Sequence, residues 1–213
     1  MNGEFSLEEL SSLKNYKEMI NYTKSFFPSI GKGSSRLVYK MDEEKVIKIA
    51  KNDNGVDQND EEYSKGLSNT PLFAKVYDCD DESRWIIMEY APKVKKSQVK
   101  ELYGVSFDMI SDSIALLFNG VSPKSRIYIE VDPKAEMMYA DFIKWLHDEP
   151  TKSIRFSDKL GNFMKNIMIY FRENRLRKSD VMDWFTISNW GIAIRNGEPE
   201  LVIIDMGLNE DIL

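Results

Sequence analysis

Residues 29–51, SIGKGSSRLVYKMDEEKVIKIAK, set one lysine, Lys48, among Val46, Ile47 and Ile49 in a run that otherwise reads as a buried strand. An ammonium taken out of water without a partner is costly. Lys48 therefore either faces solvent at an edge or meets an anion. The stretch around it reads as strand, glycine turn (Gly31-Lys32-Gly33), strand (36–41), charged turn (42–45) and strand (46–51).

Working outward, residues 52–59 are polar, contain Gly55 and read as a loop, and 59–67 read as a short helix carrying Glu61 and Glu62. LFAKVYDCD (72–80) and RWIIMEYA (84–91) read as an antiparallel pair joined by an acidic turn. Upstream, 6–27 have helical periodicity and open on Ser6 and Glu9, a capping-box pattern. Three helices are expected in the middle, over 106–120, 133–148 and 157–178; the last has a basic end at Arg172, Arg175, Arg177 and Lys178 that suits a helix C-terminus. The chain then returns to strands. GIAIR, Asn196-Gly197 and ELVIID predict a hairpin closed by a type I′ turn. The expected organisation is a helical extension (1–28), a β-rich lobe (29–92) and a helical lobe with a closing hairpin (93–213).

Composition excludes several classes. The chain has 213 residues, 42% of them hydrophobic, with a net charge of −6 and a pI near 5.1. An acidic chain lacks the dense cationic face that binding to nucleic-acid phosphates requires, so no nucleic-acid partner is expected. One cysteine, Cys79, and one histidine, His147, cannot make an intrachain disulfide or a Cys/His zinc cage. No apolar run reaches the ~18 residues of a membrane span, and the start lacks the basic-then-apolar pattern of a leader. A cytoplasmic setting without membrane contact is the expectation.

Several features carry chemistry when taken in order. Gly31 and Gly33 would let backbone amides approach a phosphate closely. Lys48 follows seventeen residues after Gly31, and Glu62, with Glu61 as the competing neighbour, would answer its charge. Asp183, Asn189 and Asp205 flank the closing hairpin, and an oxygen-only donor set suits Mg²⁺. This order resembles the protein kinase-like superfamily. GKGSSRLV is similar to its glycine-rich loop, with Gly31, Gly33 and Val38 in register, and VIKI to the strand of its phosphate-binding lysine. IIMEYA resembles the strand and hinge, which implies Met88 behind an adenine base and the backbone of Glu89 to Ala91 beside it. DWFTISNW is similar to the catalytic loop and VIIDMG to the segment holding the main metal ligand. The resemblance implies an α+β, two-lobe kinase-like fold, ATP and Mg²⁺ as cofactors, Lys48 and Glu62 as the phosphate-orienting pair, Asp183 as catalytic base, and Asn189 and Asp205 as metal ligands.

There are departures. Arg36 replaces the third glycine of the loop. Asp183 lies six residues before Asn189 instead of five, which keeps Asp180 as an alternative base. Only eight residues follow Asp205, which implies a truncated helical lobe without an activation segment, similar to minimal kinase-like proteins of phage or bacterial type. The function expected is transfer of the γ-phosphoryl group of ATP to a hydroxyl, with protein Ser/Thr preferred over a small molecule and a protein substrate or partner implied. A pseudokinase that binds nucleotide or protein without transfer is the main alternative, and nucleotidyl transfer a third. His147, Cys79 and the lysines at 93–100 read as structural or solvated, as does the acidic turn DCDDES.

Overall fold

The strand alternation around Lys48 determines how the first part of the molecule is built. In the computed structural model, which describes residues 4–66, 70–121, 127, 130–147, 157–174, 176 and 178–205, strand β3 (Lys45–Ala50) lies in the middle of a five-stranded antiparallel sheet. The spatial order is β1-β2-β3-β5-β4, with β1 Ser29–Lys32, β2 Arg36–Lys40, β4 Val76–Cys79 and β5 Trp85–Glu89. Successive side chains on a strand point to opposite faces. Ile47 and Ile49 therefore share one face with Tyr39, Trp85 and Ile87, and Leu10 and Met19 from the N-terminal helices complete that cluster. Val46, Lys48 and Ala50 take the other face. Cross-strand register puts Val38, Lys48 and Ile86 in one row, with Gly31 paired to Val38 and Met88 to Val46.

The helical run expected over 6–27 is two helices, α1 (Leu7–Ser12) and α2 (Tyr16–Phe26). Asn15 interrupts it by capping the second: its side chain accepts from the Glu18 N–H at 3.0 Å. Ser6 caps α1, but the reciprocal half of the box is not made by Glu9. The Ser6 N–H donates to the Tyr22 hydroxyl at 2.9 Å, and that hydroxyl donates to Glu9 at 3.0 Å.

Residues 53–59, expected as a loop, are the first two turns of a longer helix, α3 (Asp53–Gly66). Asn52 starts it, its side chain accepting from the Gly55 N–H at 3.1 Å. Gly55 is there for space. A Cβ at that position would run into the Ser35 carbonyl oxygen and approach Ala50 Cα at 3.0 Å. The acidic turn is not wholly solvated either. Asp80 is buried and bonds Arg84, whose guanidinium also donates to the carbonyls of Ser11 and Leu13 and so ties the N-terminal helices to the sheet.

The chain divides into two units: 1–69, 73–91 and 205–208 form one, and 70–72, 92–204 and 209–213 the other. In the second, the lysine-rich segment expected as a solvated connector contains helix α4 (Lys96–Tyr103), ended by Gly104 at φ +76°. Helices α5 (Phe107–Val121), α6 (Pro133–Leu146) and α7 (Asp158–Glu173) pack through Ile110, Ile114, Phe118, Met138, Phe142, Met164 and Ile167, all fully buried. Helix α7 stops at Asn174 instead of running to 178, and a short helix α8 (Lys178–Met182) follows; Arg175 and Arg177 lie outside the described residues. The hairpin β6 (Trp190–Arg195) and β7 (Glu198–Ile203) turns at Asn196 and Gly197, with φ +53° and +79°. No described helix is long and apolar enough to cross a membrane.

Candidate active site

Strand β3 and helix α3 supply the polar centre of the first unit. Lys48 is 7% exposed and Glu62 1% exposed, and the ammonium donates to Glu62 Oε2 at 2.7 Å. Of the two adjacent carboxylates, Glu61 instead pairs with Lys65. Burial pushes the Lys48 ammonium down from its ordinary value, although Glu62 pulls the other way; Arg36 adds to the lowering and Asp205 opposes it.

A second cation shares the same glutamate. Arg36 opens β2, is 5% exposed, and donates from Nη2 to Glu62 Oε1 at 2.9 Å and to Asp205 Oδ1 at 3.0 Å. Its Nη1 donates to Asn59 at 3.3 Å. Burial lowers the guanidinium's affinity for its proton, but Glu62 and Asp205 outweigh that and hold it above its ordinary value. Lys48, Glu62, Arg36 and Asp205 thus form one run of alternating charge. Arg36 and Asn59 were not read as site residues from sequence. The available signal was a long cation at the start of a strand whose neighbours are buried.

The glycine turn is tied down. Gly33 N–H donates to the Arg36 carbonyl at 2.9 Å, and a Cβ at Gly31 would approach Val38 Cβ at 3.3 Å. The Lys51 ammonium donates to the carbonyls of Gly33 and Ser34 at 2.9 and 2.8 Å. Along the stretch expected as a hinge, Met88, Glu89 and Ala91 are buried. The N–H groups of Glu89 and Tyr90 donate to the carbonyls of Lys75 and Glu44 at 2.8 and 2.7 Å.

Asp183 and Asn189 belong to the second unit, in two short 3₁₀ turns at Asp183–Phe185 and Ile187–Asn189. Asn189 Nδ2 donates to the Asp183 carbonyl at 3.0 Å. Two tryptophans fix this loop. Trp184 packs on Tyr170 and Phe171, and Trp190 packs on Phe107, Phe163 and Trp184, with its indole N–H donating to the Trp184 carbonyl at 2.8 Å. The Asp180 side chain, the alternative base, lies outside the described residues, as do Met206 and Gly207.

Each unit offers an oxygen of the kind a hard divalent cation takes: the Asp205 carboxylate, 46% exposed, in the first and the Asn189 amide oxygen in the second. No group of three or more His, Cys, Asp or Glu side chains gathers among the described residues. Magnesium needs none, because it takes one or two carboxylates and completes its shell with water and phosphate.

A lysine on the third strand of an antiparallel sheet, paired with a glutamate on the helix that follows, is how kinases orient the α- and β-phosphates. The fold of this chain is α+β, with a five-stranded antiparallel sheet in the first unit and helices and a hairpin in the second. No family model and no curated protein matches the sequence. Among solved structures, an ADP-bound aminoglycoside phosphotransferase, APH(2'')-Ib, is similar at 19% identity over 90% of this chain and 69% of that one, with a TM-score of 0.36. A streptomycin–ATP complex of APH(2'')-IIa is similar at 16% identity over 96% and 71%, with a TM-score of 0.34. A Plasmodium vivax ethanolamine kinase is similar at 15% identity over 97% and 69%, with a TM-score of 0.38.

Proposed function

We propose that the protein is an ATP- and Mg²⁺-dependent phosphotransferase that moves the γ-phosphoryl group to a hydroxyl. The observation that carries this is the buried Lys48–Glu62 pair, on the sheet face that also holds Val38 and Met88. A buried ion pair adds little net stability. A fixed cation on a nucleotide-facing surface has a use in phosphoryl transfer, where positioning and charge neutralisation do most of the work. In this reading Gly31, Gly33 and Val38 cover the nucleotide, Met88 and the backbone of Glu89 to Ala91 flank the base, and Lys48 orients the phosphates. Asp205 and Asn189 hold the metal, which supplies charge neutralisation on the phosphate oxygens when bound. Asp183 accepts the acceptor's hydroxyl proton, and a protein Ser/Thr side chain is the acceptor class proposed first.

Stabilisation against heat by ATP with Mg²⁺ tests the binding half, through ligand linkage. Transfer of labelled γ-phosphate is then assayed on a Ser/Thr peptide library, an aminoglycoside and ethanolamine, which separates the acceptor classes. Lys48→Met should lower transfer at least tenfold, about 1.4 kcal/mol in the barrier, and unchanged turnover would remove Lys48 from the mechanism. Label from the α position on the acceptor would mean nucleotidyl transfer instead.

One observation favours a second reading. Asp205, the proposed metal ligand, is bonded to Arg36. A pseudokinase that binds nucleotide without transferring phosphate is compatible with that contact. Thermal stabilisation with no label on any acceptor would select it.

A further inference from the structure

Arg36 stands where the loop pattern has its third glycine, and its contacts with Asn59, Glu62 and Asp205 converge on the polar centre. Two partners, Asn59 and Glu62, are buried on α3. The third, Asp205, has the half-exposed side chain. The guanidinium is therefore anchored from the protein side and presents Nη2 to Asp205 Oδ1 at 3.0 Å. Lys48 and Arg36 carry two positive charges and Glu62 and Asp205 two negative ones, so these four side chains balance one another. A divalent cation arriving at Asp205 meets a carboxylate already compensated by a fixed charge, and like charges at one carboxylate oppose each other.

We infer that Arg36 is a positioning residue that competes with a divalent cation for the Asp205 carboxylate, and so sets the metal concentration at which nucleotide is held. The inference rests on the phosphotransferase reading in taking Asp205 as a metal ligand. It goes beyond that reading in giving Arg36 a role that the loop's third glycine does not have. Asn59 and Glu62 keep the guanidinium in place, so a metal at the Asp205 carboxylate must share it with a fixed positive charge.

The test is a Mg²⁺ titration of the full chain at saturating non-hydrolysable ATP analogue, read as melting temperature, in wild type, Arg36→Gln and Arg36→Lys. Glutamine removes the charge, and lysine keeps it. The Mg²⁺ midpoint should fall about tenfold in Arg36→Gln, the equivalent of one charged contact of about 1.4 kcal/mol, and should stay near wild type in Arg36→Lys. A lowered melting temperature with an unmoved midpoint would show a structural role only and overturn the inference. A parallel titration with Mn²⁺ and no nucleotide, read by electron paramagnetic resonance, separates the two readings. If no variant responds to nucleotide, the phosphotransferase reading fails. Tighter Mn²⁺ binding by Arg36→Gln than by wild type would still support the competition, whereas equal binding, or none in either, would refute it.

Discussion

Glu62→Gln and Lys48→Met each remove one partner of the same ion pair, and their costs should differ. Glu62 holds two cations, Lys48 through Oε2 at 2.7 Å and Arg36 through Oε1 at 2.9 Å. Neutralising it leaves both cations buried, with Arg36 still bonded to Asp205. Breaking a buried pair in this way costs about 3–5 kcal/mol. Lys48→Met removes a charge that burial already disfavours, replaces it with an apolar chain of similar length, and leaves Glu62 bonded to Arg36. That change should cost less than about 1.5 kcal/mol. Urea denaturation of the three chains gives the difference, expected to be at least about 1.5 kcal/mol. Hydrogen exchange of the β3 amides reports the same ranking locally. Equal losses, or a larger loss for Lys48→Met, would mean that Arg36 does not hold the glutamate and would refute the shared-carboxylate geometry.

Two further outcomes follow from packing and burial. Gly55→Ala should cost about 1–3 kcal/mol, because its Cβ meets backbone at Ser35 and Ala50, which cannot swing aside; a neutral effect in thermal melting would contradict that close approach. Burial pushes the Tyr103 hydroxyl up to about 12, against the Leu201 N–H bond it accepts. The unfolded chain therefore releases this proton first, so its contribution is level below pH 10 and falls as pH rises from about 10 to 12, by roughly 3 kcal/mol. Tyr103→Phe should flatten that part of the stability curve, and an unchanged slope would reject the assignment.

Sheet and hairpin were legible because their signals are local. Val46, Ile47 and Ile49 announce a buried strand, and Asn196-Gly197 announces a tight turn. Lys48's need for an anion was legible for the same reason, as a charge surrounded by branched apolar residues. What escaped was set by distant contacts. Gly55 resembles a loop marker, yet it serves an approach to Ser35, twenty residues earlier. The break between α1 and α2 is the local exception, made by the Asn15 side chain capping the Glu18 N–H instead of continuing a helix. Arg36 looked like the loss of a glycine. Its engagement with Glu62 and Asp205 spans 26 and 169 residues of sequence, beyond the reach of any pattern in a short window.

The turn after β1 is anchored twice at its tip. Lys51 clamps the Gly33 and Ser34 carbonyls, and the Ser35 hydroxyl donates to Gln58 on α3 at 2.5 Å. The tip and the helix bearing Glu62 are thereby geared together. A shift of that helix must drag the tip with it, so the turn and α3 would travel as one piece.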